Sequence, residues 1–104
     1  ESLATHELNV YAKANDATLF HYNDSYGLEV DAIVQQRNGD YAAFEIKLGV
    51  GFIDQAVETL KKFERNINTA KMDKPKSLNI ITGTGMSHRR PDGINVISLA
   101  ALGK

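Results

Sequence analysis

The chain contains no cysteine. That removes disulfides, thiolate chemistry and the cysteine-ligated metal fingers together, and it fits the cytosol. Only two prolines occur among 104 residues, too few for a collagen-like or proline-rich segment. No apolar run approaches the roughly 18 residues that a membrane span requires. The chain opens on Glu1 with neither a basic stretch nor a continuous apolar one, so the sequence predicts no secretory leader and no membrane. The missing initiator methionine points to a piece excised from a longer protein. A charge excess is lacking as well, since the formal net charge is -1, which argues against a protein coated in base for nucleic acid.

What is present is globular: 42% hydrophobic and 24% charged residues. A length of 104 residues closes one core and leaves no room for a second, so 1–104 reads as a single domain. The near-neutral total hides a polarity. Residues 1–60 hold 3 Lys/Arg against 10 Asp/Glu, whereas residues 61–104 hold 9 against 3. Solvated helix faces and loops account for such a split as readily as a functional polarity does.

Glu1, Ala4, Leu8, Tyr11 and Ala12 recur at helical spacing and predict an amphipathic helix that Asn15-Asp16 stops. A short strand, 18–22, leads through Asp24-Ser25-Tyr26-Gly27 into a second, 28–36, and Arg37-Asn38-Gly39 turns into a third, 40–48. Phe52, Ala56, Leu60 and Phe63 then trace about four turns of helix, with Lys61, Lys62 and Arg65 on its outer side. Residues 69–76 read as a basic loop, 78–82 as a buried strand, 83–93 as a long loop and 94–99 as a last strand. This order predicts an α/β layered domain, a central mixed β-sheet flanked by helices, in which the strand after the long helix returns parallel.

The hairpin through Arg37-Asn38-Gly39 places the chemistry. A three-residue loop with Gly39 left-handed makes paired positions sum to 76: Val30 opposes Ile46, Ala32 opposes Phe44 and Val34 opposes Ala42, an apolar face throughout. The other face then sets Asp31 against Glu45 and Glu29 against Lys47. A two-residue turn would set Ala32 against Glu45 and mix the faces. Two directly opposed carboxylates, with Cβ atoms about 5 Å apart, repel unless a proton or a cation intervenes. Mg²⁺ (or Mn²⁺) takes such oxygens together with waters, and it can activate water and neutralise charge on a phosphate. Lys47 lies two residues beyond Glu45 on the same face. An ordinary solvated face with cross-strand ion pairs accounts for the same four charges.

The stretch Gly27-Leu28-Glu29-Val30-Asp31, a β-turn, and Phe44-Glu45-Ile46-Lys47 resembles the core motif of the PD-(D/E)xK nuclease superfamily. Nearly the whole chain resembles, more narrowly, the nuclease-like C-terminal domain of many prokaryotic AAA+ type ATPases, a family of unknown function. The resemblance extends from Glu1-Ser2-Leu3 through His21-Tyr22 and Ile81-Thr82-Gly83 to Val96-Ile97-Ser98-Leu99. It implies a restriction-endonuclease-like fold, with metal-binding acids at Asp31 and Glu45 and the catalytic lysine at Lys47. Glu1, on the stripe of Ala4 and Leu8, takes the place of a first-helix glutamate, and the Ile46 carbonyl completes the metal shell. The expected activity is metal-dependent hydrolysis of DNA or RNA, in the cytoplasm, beside an ATPase module in the same chain. The alternative is a catalytically silent module for docking nucleic acid or a partner. Val30 stands where the superfamily name has proline.

Lys61, Lys62, Arg65, Arg89, Arg90 and the basic residues of 71–76 are the candidate phosphate contacts. Gln55 matches a supporting position in some relatives and equally a solvent-facing glutamine. His6, His21 and His88 show no ligand spacing, and His21 reads as a structural histidine in a strand. Gly83-Thr84-Gly85 lacks the context of a nucleotide fingerprint and reads as a turn.

Overall fold

The computed structural model describes residues 2–24, 27–47, 49–67, 73–83 and 87–99. Helix α1 spans Ser2–Ala14 and buries Ala4, Leu8 and Ala12 of the stripe read from the sequence, whereas Tyr11, read with them, is 47% exposed. It stops where expected. Asp16 takes a left-handed conformation (φ 57°), so that Asp16 N–H donates to the Lys13 carbonyl and Ala17 N–H to the Ala12 carbonyl, at 3.2 and 2.7 Å. Both bonds satisfy carbonyls that the helix end would orphan.

Strands β1 (Thr18–Asn23), β2 (Glu29–Gln35) and β3 (Tyr41–Ile46) follow as an antiparallel meander. Helix α2 (Ile53–Asn66), entered through a 3₁₀ turn at Val50–Phe52, crosses over to β4 (Ser77–Thr82), which pairs parallel with β3. Next come β5 (His88–Arg89) and β6 (Asn95–Ser98), the latter parallel to β4. The six strands form one mixed sheet in the order β1-β2-β3-β4-β6-β5. The parallel return after α2 is as predicted. The two-residue β5 lies within what reads as a loop in the sequence.

Both faces of the sheet are covered. Ala32, Val34, Phe44, Ile46 and Ile81 pack under α1, and Ile33, Tyr41, Ala43, Leu78 and Ile80 pack under α2 with Ala56, Leu60 and Phe63. Phe63 sits edge-on to Tyr22 and to Tyr41, with ring centroids 4.8 and 6.4 Å away. Burial raises the Tyr41 hydroxyl to about 12, and that hydroxyl donates to the Asp73 carbonyl at 2.7 Å. Buried Asn79 joins three strands: it donates to the Ala43 carbonyl and accepts from the Asn95 amide. No helix among the described residues is long and apolar enough to cross a membrane.

Candidate functional site

The hairpin between β2 and β3 has the predicted loop. Gln36 N–H donates to the Asp40 carbonyl at 2.8 Å, Gly39 N–H returns to Gln36 at 3.0 Å, and Gly39 has φ 95°. Ala32 pairs with Phe44, Ile33 with Ala43 and Val34 with Ala42, so positions sum to 76 as expected.

Beyond Ala32 the expected ladder fails, and the reason lies on the other side of β2. Against β1 the register runs Phe20 to Ile33 and then Tyr22 to Val30. β2 advances three residues while β1 advances two, which places a β-bulge at Asp31-Ala32. The extra residue breaks the alternation. Val30 therefore joins Ile33 in the core under α2 instead of opposing Ile46 on the α1 face. Asp31 and Glu45 are likewise no simple opposed pair.

They form a reciprocal clasp across the gap between the strands. Glu45 Oε2 accepts the Asp31 N–H at 2.8 Å, while Asp31 Oδ2 accepts the Ile46 N–H at 2.9 Å. Each carboxylate thus accepts a main-chain N–H of the other strand, and each keeps its second oxygen without another hydrogen bond among the described residues. Glu45 is 4% exposed, whereas Asp31 is half-buried. Burial pushes the Glu45 carboxyl up to about 7. The Asp31 N–H bond opposes that rise, the Asp31 carboxylate adds to it, and the charges of Lys47 and His21 oppose it.

Lys47 leaves β3 half-buried, with its N–H on the Ile81 carbonyl at 2.9 Å, and it makes no ion pair among the described residues. His21, on β1, touches Glu29 through Nε2 at 3.0 Å. No sequence pattern marks this pair, because the two residues stand eight apart and only the bulge brings their strands into this offset. Glu1 lies outside the described residues, as does Lys71.

The basic candidates divide. Lys61 Nζ and Arg90 Nε both reach Asp92 Oδ2, at 3.2 and 3.3 Å, and tie α2 to the β5–β6 turn. Burial works to raise the Asp92 carboxyl, but the Ile94 N–H, Lys61 and Arg90 outweigh it and hold it below the usual range. Lys62, Arg65 and Arg89 are exposed. Lys62 and Gln55 line an open groove of ≈ 410 Å³ against Leu28, three residues before Asp31. A cleft of ≈ 230 Å³ at the far end of β3, between Tyr11 and Lys76, is remote from the carboxylates.

Fold and site together define a small α/β domain with a mixed six-stranded sheet, whose central hairpin is parted by two carboxylates with a lysine beside them. Over residues 1–102 the chain matches the family described as "Domain of unknown function (DUF4143)", and it belongs to that family. No curated protein and no solved structure matches it.

Proposed function

We propose that this domain hydrolyses phosphodiester bonds of DNA or RNA with a divalent ion held by Asp31 and Glu45, as a PD-(D/E)xK nuclease of restriction-endonuclease-like fold. The observation that carries the reading is the clasp. Two carboxylates interrupt a sheet ladder to accept main-chain N–H groups, and a lysine follows the second by two residues.

The donor set fits a hard cation. Mg²⁺ is held by one or two carboxylates plus waters, and each of these side chains has a second oxygen to offer. No third His, Asp or Glu converges on them among the described residues, so in this reading the remaining positions fall to the Ile46 carbonyl and to solvent. Once bound, the ion supplies charge neutralisation at the phosphate and a more acidic water.

The chain's own groups do the rest. Lys47, with no carboxylate within ion-pair distance among the described residues, donates to a phosphate oxygen and stabilises the charge that develops there. Water adds to phosphorus, and the bond to one ester oxygen breaks. That oxygen departs with a proton, leaving a phosphomonoester and a hydroxyl. Lys62, Arg65 and Arg89 are the exposed cations that meet the backbone, with a binding constant that falls steeply with salt. In this reading an AAA+ type ATPase module in the same cytoplasmic chain delivers the nucleic acid.

A second reading, a silent docking module in such an ATPase, is favoured by one observation. Asp92 already occupies Lys61 and Arg90, which leaves few cations to hold a substrate for turnover. Incubation with linear, circular, single-stranded and branched DNA, and with RNA, in Mg²⁺ or Mn²⁺ separates the two. Cleavage by the wild type that Lys47→Ala and Asp31→Asn abolish supports the nuclease. Calorimetry should show Mn²⁺ heat that Asp31→Asn loses. Salt-sensitive binding without cleavage supports docking.

A further inference from the structure

The two edges of the sheet are built differently. β5 is two residues long, exposed and basic, His88-Arg89, the short charged edge with which natural sheets discourage further pairing. β1, at the other edge, is six residues long with the sequence TLFHYN. It carries no Lys, Arg, Asp, Glu or Pro, and its Phe20 is 39% exposed. The irregularity beside it is an extra residue in β2, not in β1, so β1 itself runs without a bulge, with no strand beyond it among the described residues.

We propose that this rim pairs with β1 of a second copy of the chain, antiparallel about a two-fold axis at Phe20, to give one continuous twelve-stranded sheet. The inference stands apart from the nuclease reading. Alternation along β1 sends Leu19 to the α1 side, with Ala4 and Leu8, and sends Tyr22 to the α2 side, against Phe63. Phe20 pairs with Ile33 of the α2-side core and so shares the Tyr22 face.

Directly opposed residues of an antiparallel pair occupy one face, so in a two-fold pairing each residue meets one of its own parity. The register centred on Phe20 obeys this: Thr18 meets Tyr22, Leu19 meets His21 and Phe20 meets Phe20 of the second copy. It removes the exposed aromatic ring from water against its own equivalent. It also sets no like charges across the seam. A register centred between Phe20 and His21 would oppose Leu19 to Tyr22 across the two faces and is excluded. A ladder this short buries less than the roughly 1,200 Å² of a standard stable interface, so the dimer is weak and depends on concentration.

Sedimentation equilibrium from about 10 µM to 1 mM tests the pairing. The apparent mass of the wild type should climb towards twice the monomer, and Phe20→Lys, which sets two ammonium groups on the axis, should stay monomeric with an unchanged circular-dichroism spectrum. Because the chain has no cysteine, Phe20→Cys gives a second reading that does not depend on folding of the lysine variant. Opposed Cα atoms at about 4.5–5.5 Å suit a disulfide, so mild oxidation should convert that variant to a covalent dimer. A wild type that stays monomeric throughout overturns the proposal and leaves the rim to a foreign strand. Dimerisation that survives Phe20→Lys overturns it in favour of another surface, and faster cross-linking of His21→Cys than of Phe20→Cys overturns the register.

Discussion

Replacing Glu45 by glutamine should make the metal-free domain more stable at pH 8 and leave it nearly unchanged at pH 4.5. The Glu45 carboxyl moves from its ordinary 4.5 to about 7 in the folded chain, and at 4% exposure little solvent screens it. The folded state therefore holds a proton that the unfolded state has lost between those two values. Stability from this group is complete below pH 4.5, falls from there to about pH 7, and is flat above. At 1.36 kcal/mol per pKa unit, the charged form costs ~3 kcal/mol. The amide of Glu45→Gln keeps an oxygen for the Asp31 N–H and never ionises, so the variant escapes that cost. Urea unfolding in chelator at pH 4.5 and pH 8 should show the variant gaining up to ~3 kcal/mol at the higher pH alone. A variant less stable than wild type at pH 8, or one with the same difference at both pH values, would refute the argument. Mn²⁺ gives the converse. It should stabilise the wild type above pH 7, where binding to the folded state adds to stability, and leave Glu45→Gln untouched.

Three further outcomes are open to measurement. Gly39→Ala meets no atom within 4 Å yet must adopt φ 95°, so thermal unfolding should register a purely conformational loss of roughly 1–2 kcal/mol. Phe63→Ala removes a ring that is 1% exposed and wedged between two tyrosines, and chemical denaturation should show a loss of about 3–5 kcal/mol. Asp92→Asn should loosen the tie between α2 and the β5–β6 turn. Because the Asp92 carboxyl is held below its usual range, its stabilisation is present above that range and disappears as pH falls through the folded value, so wild type and variant should converge in acid.

The hairpin loop, the first three strands, α2 and the parallel return were legible because each has a local signature. Asn38-Gly39 imposes the turn, apolar alternation imposes the pairing of Ala32 with Phe44, and Ala56, Leu60 and Phe63 mark one helical face, although Phe52, read as its first member, stands in the preceding 3₁₀ turn and is 55% exposed. The bulge at Asp31-Ala32 had no such mark. Val30, Ala32, Ile33 and Val34 are apolar on both parities, so a one-residue change of face leaves the hydrophobic pattern intact. Asp31, Glu45 and Lys47 were legible as a group by spacing, but their clasp through main-chain N–H groups follows from that bulge. β5 is too short to show a period. The capture of Lys61 by Asp92 depends on a contact across 31 positions, which no local pattern encodes.

The clasp also divides the chain in time. Its two hydrogen bonds span 14 and 15 positions, whereas the parallel pairing of β3 with β4 joins Ala42 to Ser77 through the whole of α2. Short loops close first, so a chain emerging from synthesis completes the carboxylate hairpin while Glu45 is still wet and its charge is cheap. The cost of drying that charge then falls on the later docking of α2 and β4, when Lys47 N–H closes on Ile81. Acid should therefore speed that docking step, and a cation bound by the early hairpin should do the same at neutral pH.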